Sequence, residues 1–139
     1  MAARPAAGPA RTSAVRAALE SFALGLPGAW PDTPWGDSVV KVGAKIFVFL
    51  GHDSGDSKDA MITVKVPESH DHAMSFPGAA PTGYGLGKAG WVTIPAGGVR
   101  RADVGVLRDF VEESYRAVAP KKLVKELDGR GGASSTSIR

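Results

Sequence analysis

The chain contains no cysteine among its 139 residues. Disulfides, thiolate metal ligands and cysteine nucleophiles are therefore excluded as sources of stability or chemistry. Long apolar runs are also missing. The longest is Ile46 to Leu50, far short of the roughly 20 residues that a membrane-spanning helix needs. The start, Met1-Ala2-Ala3-Arg4-Pro5, lacks the continuous apolar segment of a secretory signal, and Pro5, Gly8 and Pro9 interrupt it. The expectation is a soluble, cytoplasmic protein without a membrane partner. Histidine is scarce, and His52, His70 and His72 all fall in polar stretches, a poor setting for a preorganised base. No Gly-x-Ser-x-Gly elbow occurs, so the chain is not expected to be an enzyme.

What is present is an ordinary globular balance, 43% hydrophobic and 22% charged, enough for one domain with a hydrophobic core. The formal net charge is +3 and the isoelectric point about 9.4, which invites a nucleic-acid reading. The charge is unevenly placed. Ser13 to Ala119 carries 10 Lys and Arg against 12 Asp and Glu, a net of −2. The excess lies in the tails: Arg4, Arg11, Lys121, Lys122, Lys125, Arg130 and Arg139 against Glu126 and Asp128. A polyanion would have to be met by a local patch or by those tails.

Three regions follow from the pattern: a disordered tail over residues 1–12, a folded domain over 13–119, and a basic, partly disordered tail over 120–139. Within the domain, Thr12 or Ser13 can cap a first helix whose stripe is Val15, Leu19, Phe22 and Leu26. Leu26-Pro27-Gly28 stops it, and a Trp-bearing loop follows. Val39–Val42 and Lys45–Leu50 form a hairpin around Gly43-Ala44, a connection compatible with a type II′ turn. Strict alternation places Phe47 and Phe49 on one face of the second strand. A polar loop to Asp59 leads to a strand whose buried side is Ile62, Val64 and Val66. Pro67 opens a short helix, Ala79–Ala89 is a Gly-rich loop, and Trp91–Ile94 is another strand. Asp103 can cap a second long helix with the stripe Val104, Leu107, Val111, Tyr115 and Val118. Lys121–Leu127 reads as a weak helical extension. The class is α+β: a single domain with an antiparallel β-sheet covered on one face by two long terminal helices.

Metal chemistry is not supported by spacing. Asp53, Asp56 and Asp59 do not alternate as calcium ligands must, and no Glu closes the loop. His70 and His72 are two apart and diverge on a helix, whereas paired ligands sit at i and i+4. Gly83-Tyr84-Gly85-Leu86-Gly87-Lys88 is neither a P-loop nor a dinucleotide fingerprint. No metal and no cofactor is expected. The candidate DNA- or anion-binding residues are Trp35, Lys41, Lys45, Lys88 and Trp91, joined by Lys121, Lys122 and Lys125 of the basic tail. A Trp face can stack on a base and a Lys can neutralise phosphate. Trp30, Trp35 and Trp91 can instead be core or rim aromatics with a satisfied indole N–H, and Lys41 and Lys45 can be guards of a sheet edge.

The run Leu26-Pro27-Gly28, Pro34-Trp35-Gly36 and Lys41-Val42-Gly43-Ala44-Lys45-Ile46-Phe47 resembles the MmcQ/YjbR family, small proteins with a CyaY-like fold. Ala44 stands where that family commonly has a second Gly. Pro67-Glu68, Phe76-Pro77-Gly78, Lys88 with Trp91, and Ser114-Tyr115 extend the likeness from about Ser13 to Val118. Gly87 and Gly90 replace an Asn and a His of the family pattern. The resemblance implies a CyaY/YjbR-like sheet-and-helix domain with weak DNA binding. The iron-binding role of frataxins, which share the fold, does not carry over, because the first helix holds a single acid, Glu20, with Arg16 as its partner. The alternative is a module that holds a small anionic ligand or a protein partner in a pocket near Trp35, Lys88 and Trp91.

Overall fold

The structure is a computed structural model and describes residues 12–33, 37–52, 61–82 and 89–135. Helix α1 (Thr12–Leu24) leads into strands β1 (Ala29–Asp32), β2 (Asp37–Val42), β3 (Lys45–His52) and β4 (Met61–Lys65). Helix α2 (His70–Met74), β5 (Ala80–Pro81) and β6 (Trp91–Pro95) follow, then α3 (Val104–Val118) and α4 (Lys121–Ser135). The six strands form one antiparallel sheet in the order β1-β2-β3-β4-β6-β5. One apolar cluster joins Val15, Leu19 and Ala23 of α1, and Leu107, Phe110, Val111 and Tyr115 of α3, to Val40, Val48, Ile62, Val64, Val92 and Ile94 of the sheet. Both long helices therefore lie on the same face. Leu19, Leu107 and Val111 are buried there, and Phe22 packs at the margin.

The hairpin turn forms as its residues require. Gly43 has φ +62°, a conformation costly for any side chain, and Val42 pairs with Lys45 across it. Beyond the turn, β3 departs from simple alternation. The pairing with β2 skips Phe47 and Leu50, which makes two β-bulges. Each bulge re-aims a side chain. Phe47 turns to the helix side and meets Tyr115 edge-on at 5.3 Å, whereas Phe49 stays on the opposite face against Trp91 at 5.7 Å. The expectation that the two phenylalanines share a face is thus wrong, because alternation holds only where no residue is inserted.

The carbonyls of both bulged residues are satisfied from the helices. Arg16 Nε of α1 donates to Leu50 O at 2.6 Å. Ser114 Oγ of α3 donates to Phe47 O at 2.5 Å and accepts from Lys65 N at 2.8 Å. Val48↔Val64 is the last pair of the β3–β4 ladder, and the next step in that register would be Phe47 with Lys65. The Ser114 hydroxyl sits in that step and carries the hydrogen bonding that the strands no longer make directly. The neighbouring Tyr115 OH donates to Pro27 O at 2.6 Å. The Ser-Tyr pair therefore fastens α3 to the sheet and to the turn after α1.

That turn also receives α4. Gly28 has φ +73°, and a Cβ there would lie 2.9 Å from Leu123 Cδ1. Ala119 is extended at ψ 151°, as a residue before proline prefers, which ends α3. Pro120 O then accepts from Leu123 N and Val124 N at 2.9 and 3.1 Å and opens α4. Leu127 is buried in the core, and Leu123 and Val124 pack beside it. The break after Ala119 is thus a change of helix, not the end of the packed body, and the helix runs past Leu127 to Ser135.

Other local readings shift. Trp30 lies in strand β1 rather than in a loop. Pro31 is tolerated because β1 is an edge strand. The Gly-rich stretch contributes the short strand β5. The short helix begins at His70, not at Pro67, and Glu113 Oε2 accepts from Glu68 N and Ser69 N just before it. Asp103 does not cap α3. Its carboxylate turns back to accept from Arg100 N at 3.0 Å, which closes a 3-10 turn over Arg101–Asp103. Of the expected tail over 1–12 and polar loop over 51–59, Thr12 belongs to α1 and Gly51 and His52 to β3, and the rest lies outside the described residues, as do residues 60 and 136–139. No helix of the described residues is long and apolar enough to cross a membrane.

Candidate nucleic-acid interface

The lysines singled out from sequence are in different circumstances. Lys41 is occupied: its Nζ lies 3.1 Å from Asp32 Oδ2 and 4.9 Å from the centre of the Trp30 ring. Its side chain is only 19% exposed. Trp91 is buried against Phe49 and is 8% exposed, on the sheet face away from the helices. Trp35 and Lys88 lie outside the described residues. Lys45, Lys121, Lys122 and Lys125 are exposed.

The strand register relates Lys45 to the turn on which α4 docks. Lys45 pairs with Val42, and Val42 pairs with Ala29. Directly opposed residues share a face, and Val42 belongs to the helix-side core, so Lys45 also lies on the helix-bearing side. Neighbouring strands are about 4.8 Å apart, which places Lys45 about two strand spacings from Ala29. The adjacent Gly28 is the residue on which Leu123 rests. The first turns of α4 therefore pack on the turn that feeds β1, about two strand spacings from the end of β3. With Leu123, Val124 and Leu127 turned inward, Lys121, Lys122 and Lys125 face solvent. A second tie fixes the helix: Arg116 Nη1 lies 2.8 Å from Asp128 Oδ1, and Arg116 Nε 3.0 Å from Glu112 Oε2. Burial pulls the Arg116 pKa down, but its bonds to Asp128 and Glu112 outweigh this and hold the guanidinium above its ordinary value.

A groove between α3 and the Pro67-Glu68 segment has the opposite character. It encloses about 510 Å³ and is lined by Glu68, Asp109, Glu112, Glu113 and Arg116. Its one cation is already held by Glu112 and Asp128, so the groove repels phosphate. Partial burial, with Glu112 alongside, raises the Asp109 pKa. An acid raised in the folded state opposes folding while it is ionised. That penalty is full above the folded pKa and fades as pH falls towards the ordinary carboxylate value. Asp109→Asn is therefore expected to stabilise the protein at neutral pH, with the gain vanishing near about pH 3.5. Urea denaturation at the two pH values checks this. An asparagine variant less stable than the parent at neutral pH would show that the carboxylate is favourable where it stands.

Among the described residues, no group of three or more His, Asp and Glu could hold a metal ion. His72 is engaged with aromatic rings instead, edge-on to Phe110 at 5.3 Å and stacked towards Phe76 at 6.1 Å.

Sequence reasoning treated Trp30 as a core or rim aromatic. It is 40% exposed, and its indole N–H donates to Gly43 O at 3.1 Å. Its sequence signal was adjacency to the Leu-Pro-Gly stop, which feeds an edge strand. The sequence model of the YjbR family matches residues 24–117, a span that contains the hairpin and Lys45 and ends before α4. In a comparison with curated proteins, none matches the chain.

Proposed function

Because the chain belongs to the YjbR family, we propose that it is a small non-enzymatic domain that binds DNA weakly and with little sequence preference. The observation that carries the reading is the docking of α4. It holds three exposed lysines on a packed helix that rests on Gly28, and Lys45 lies about two strand spacings from the adjacent Ala29. Lysine side chains on a helix and at a hairpin end supply point charges to phosphates, which position a protein on DNA without reading its bases. The acidic groove on α3 disfavours a polyanion at Glu68, Asp109, Glu112 and Glu113. The alternative pocket near Trp35, Lys88 and Trp91 loses one wall in this reading, since the Trp91 ring is spent on Phe49.

The test is fluorescence anisotropy with a labelled short duplex at several salt concentrations. Four lysines on four phosphates predict a slope of log K against log salt of about −3.6. A slope near zero would mean that binding, if any, rests on apolar burial and belongs to the pocket alternative. No binding at low salt would remove DNA altogether.

A further inference from the structure

We propose that Trp30 is a base-stacking platform and that the preferred ligand is single-stranded DNA, a refinement that rests on the DNA reading above. Among the described residues, only Leu24, Trp30 and Met61 are large apolar side chains with substantial exposure. Of these, Trp30 alone is pinned by named polar contacts. Its indole N–H is tied to Gly43 O. Lys41 sits over the ring, and Asp32 anchors Lys41 in turn. A two-torsion aromatic held in this way loses little further freedom when a planar group stacks on it.

The surroundings select the occupant. Trp30 lies in edge strand β1, but Pro31 next to it lacks the N–H that an added β-strand would need. Recognition at this edge therefore runs through the side chain rather than the backbone. Trp30 pairs with Lys41 on the face away from the helices, whereas Lys45 pairs with Val42 on the helix side. The two flank the same Gly43-Ala44 turn from opposite faces. A strand that presents a base to Trp30 and a phosphate to Lys45 must curl around the tip of the hairpin and unstack that base. A flexible single strand does this readily. A duplex keeps its bases stacked and is stiff over this length.

The experiment compares a labelled thymidine oligonucleotide with a duplex of equal length, using the full chain and its Trp30→Phe, Trp30→Leu and Lys45→Ala variants. The parent is expected to bind the single strand more tightly. Trp30→Leu keeps an apolar side chain but loses the π-face, and should weaken single-strand binding about 5- to 150-fold. Trp30→Phe should retain most of the affinity, and duplex binding should change by less than about twofold for both. Equal behaviour of the Phe and Leu variants on the single strand overturns the stacking role, as does an equal loss on both ligands. If duplex binding responds to Lys45→Ala while single-strand binding ignores Trp30, stacking fails and the DNA reading stands. If the parent binds neither ligand, both fail.

Discussion

Ser114→Ala is expected to destabilise the fold by about 2 to 4 kcal/mol, a large share of the 5 to 15 kcal/mol typical of a domain. The hydroxyl is fully buried and serves two backbone groups at once, donating to Phe47 O and accepting from Lys65 N. Removing it orphans a carbonyl and an amide together, and an unsatisfied buried group costs about 1 to 3 kcal/mol. Direct re-pairing of Phe47 with Lys65 would draw β3 onto β4 where Phe47 is already packed against Tyr115, so relaxation is limited. The midpoint of thermal unfolding should fall by about 10 °C. Tyr115→Phe removes the bond to Pro27 O and should cost about 1 kcal/mol. Urea denaturation of both variants measures the difference. A Ser114→Ala loss below that of Tyr115→Phe would mean that the ladder closes without its insert.

The same pair shows what a sequence carries and what it conceals. Tyr115 falls in the apolar stripe of its helix and was legible there, and Ser114-Tyr115 was legible as a pair through the family likeness. Its role was not, because that role depends on where β3 stops following β4, a register that no local pattern encodes. The bulges at Phe47 and Leu50 are hidden for the same reason. Valines and phenylalanines on both faces fit a regular strand and a bulged one equally well. Strands with clean alternation, such as Met61–Lys65, were readable, and so was the hairpin, whose Gly43 has a conformational reason to be there. Helix α4 was underread because Gly129, Gly131 and Gly132 carry poor helix propensity. Tertiary contacts of Leu123 and Leu127 outweigh that locally. Of the candidate site, exposed Lys45 and the α4 lysines could be nominated from charge alone. The occupation of Lys41 by Asp32 depends on β1 being a strand, and a segment containing Pro31 is a strand only where it lies at a sheet edge.

Replacing Lys121, Lys122 and Lys125 together by alanine is expected to cause the largest loss of DNA affinity, roughly a hundredfold at about 0.1 M salt, with a salt slope shallower by about 2.7. Alanine is the best helix former, so α4 should persist and the change should report charge. Lys45→Ala should reduce the slope by about 0.9. A further variant, Leu123→Ser with Leu127→Ser, keeps every charge but removes the side chains that dock α4 on Gly28 and the core. If the lysines act merely as a charged tail, this variant binds like the parent. If α4 must hold them beside Lys45, affinity falls while fewer contacts form at once, and the slope becomes shallower too. The family match ends at residue 117, so the outcome also assigns the function within the chain. Loss confined to the α4 variants places DNA binding in a segment beyond the matched region. Loss confined to Lys45→Ala places it in the hairpin that the family shares. Indifference to all of these variants transfers the argument to the pocket near Trp35, Lys88 and Trp91, where a small anion or a protein partner, and not DNA, would be the ligand to seek.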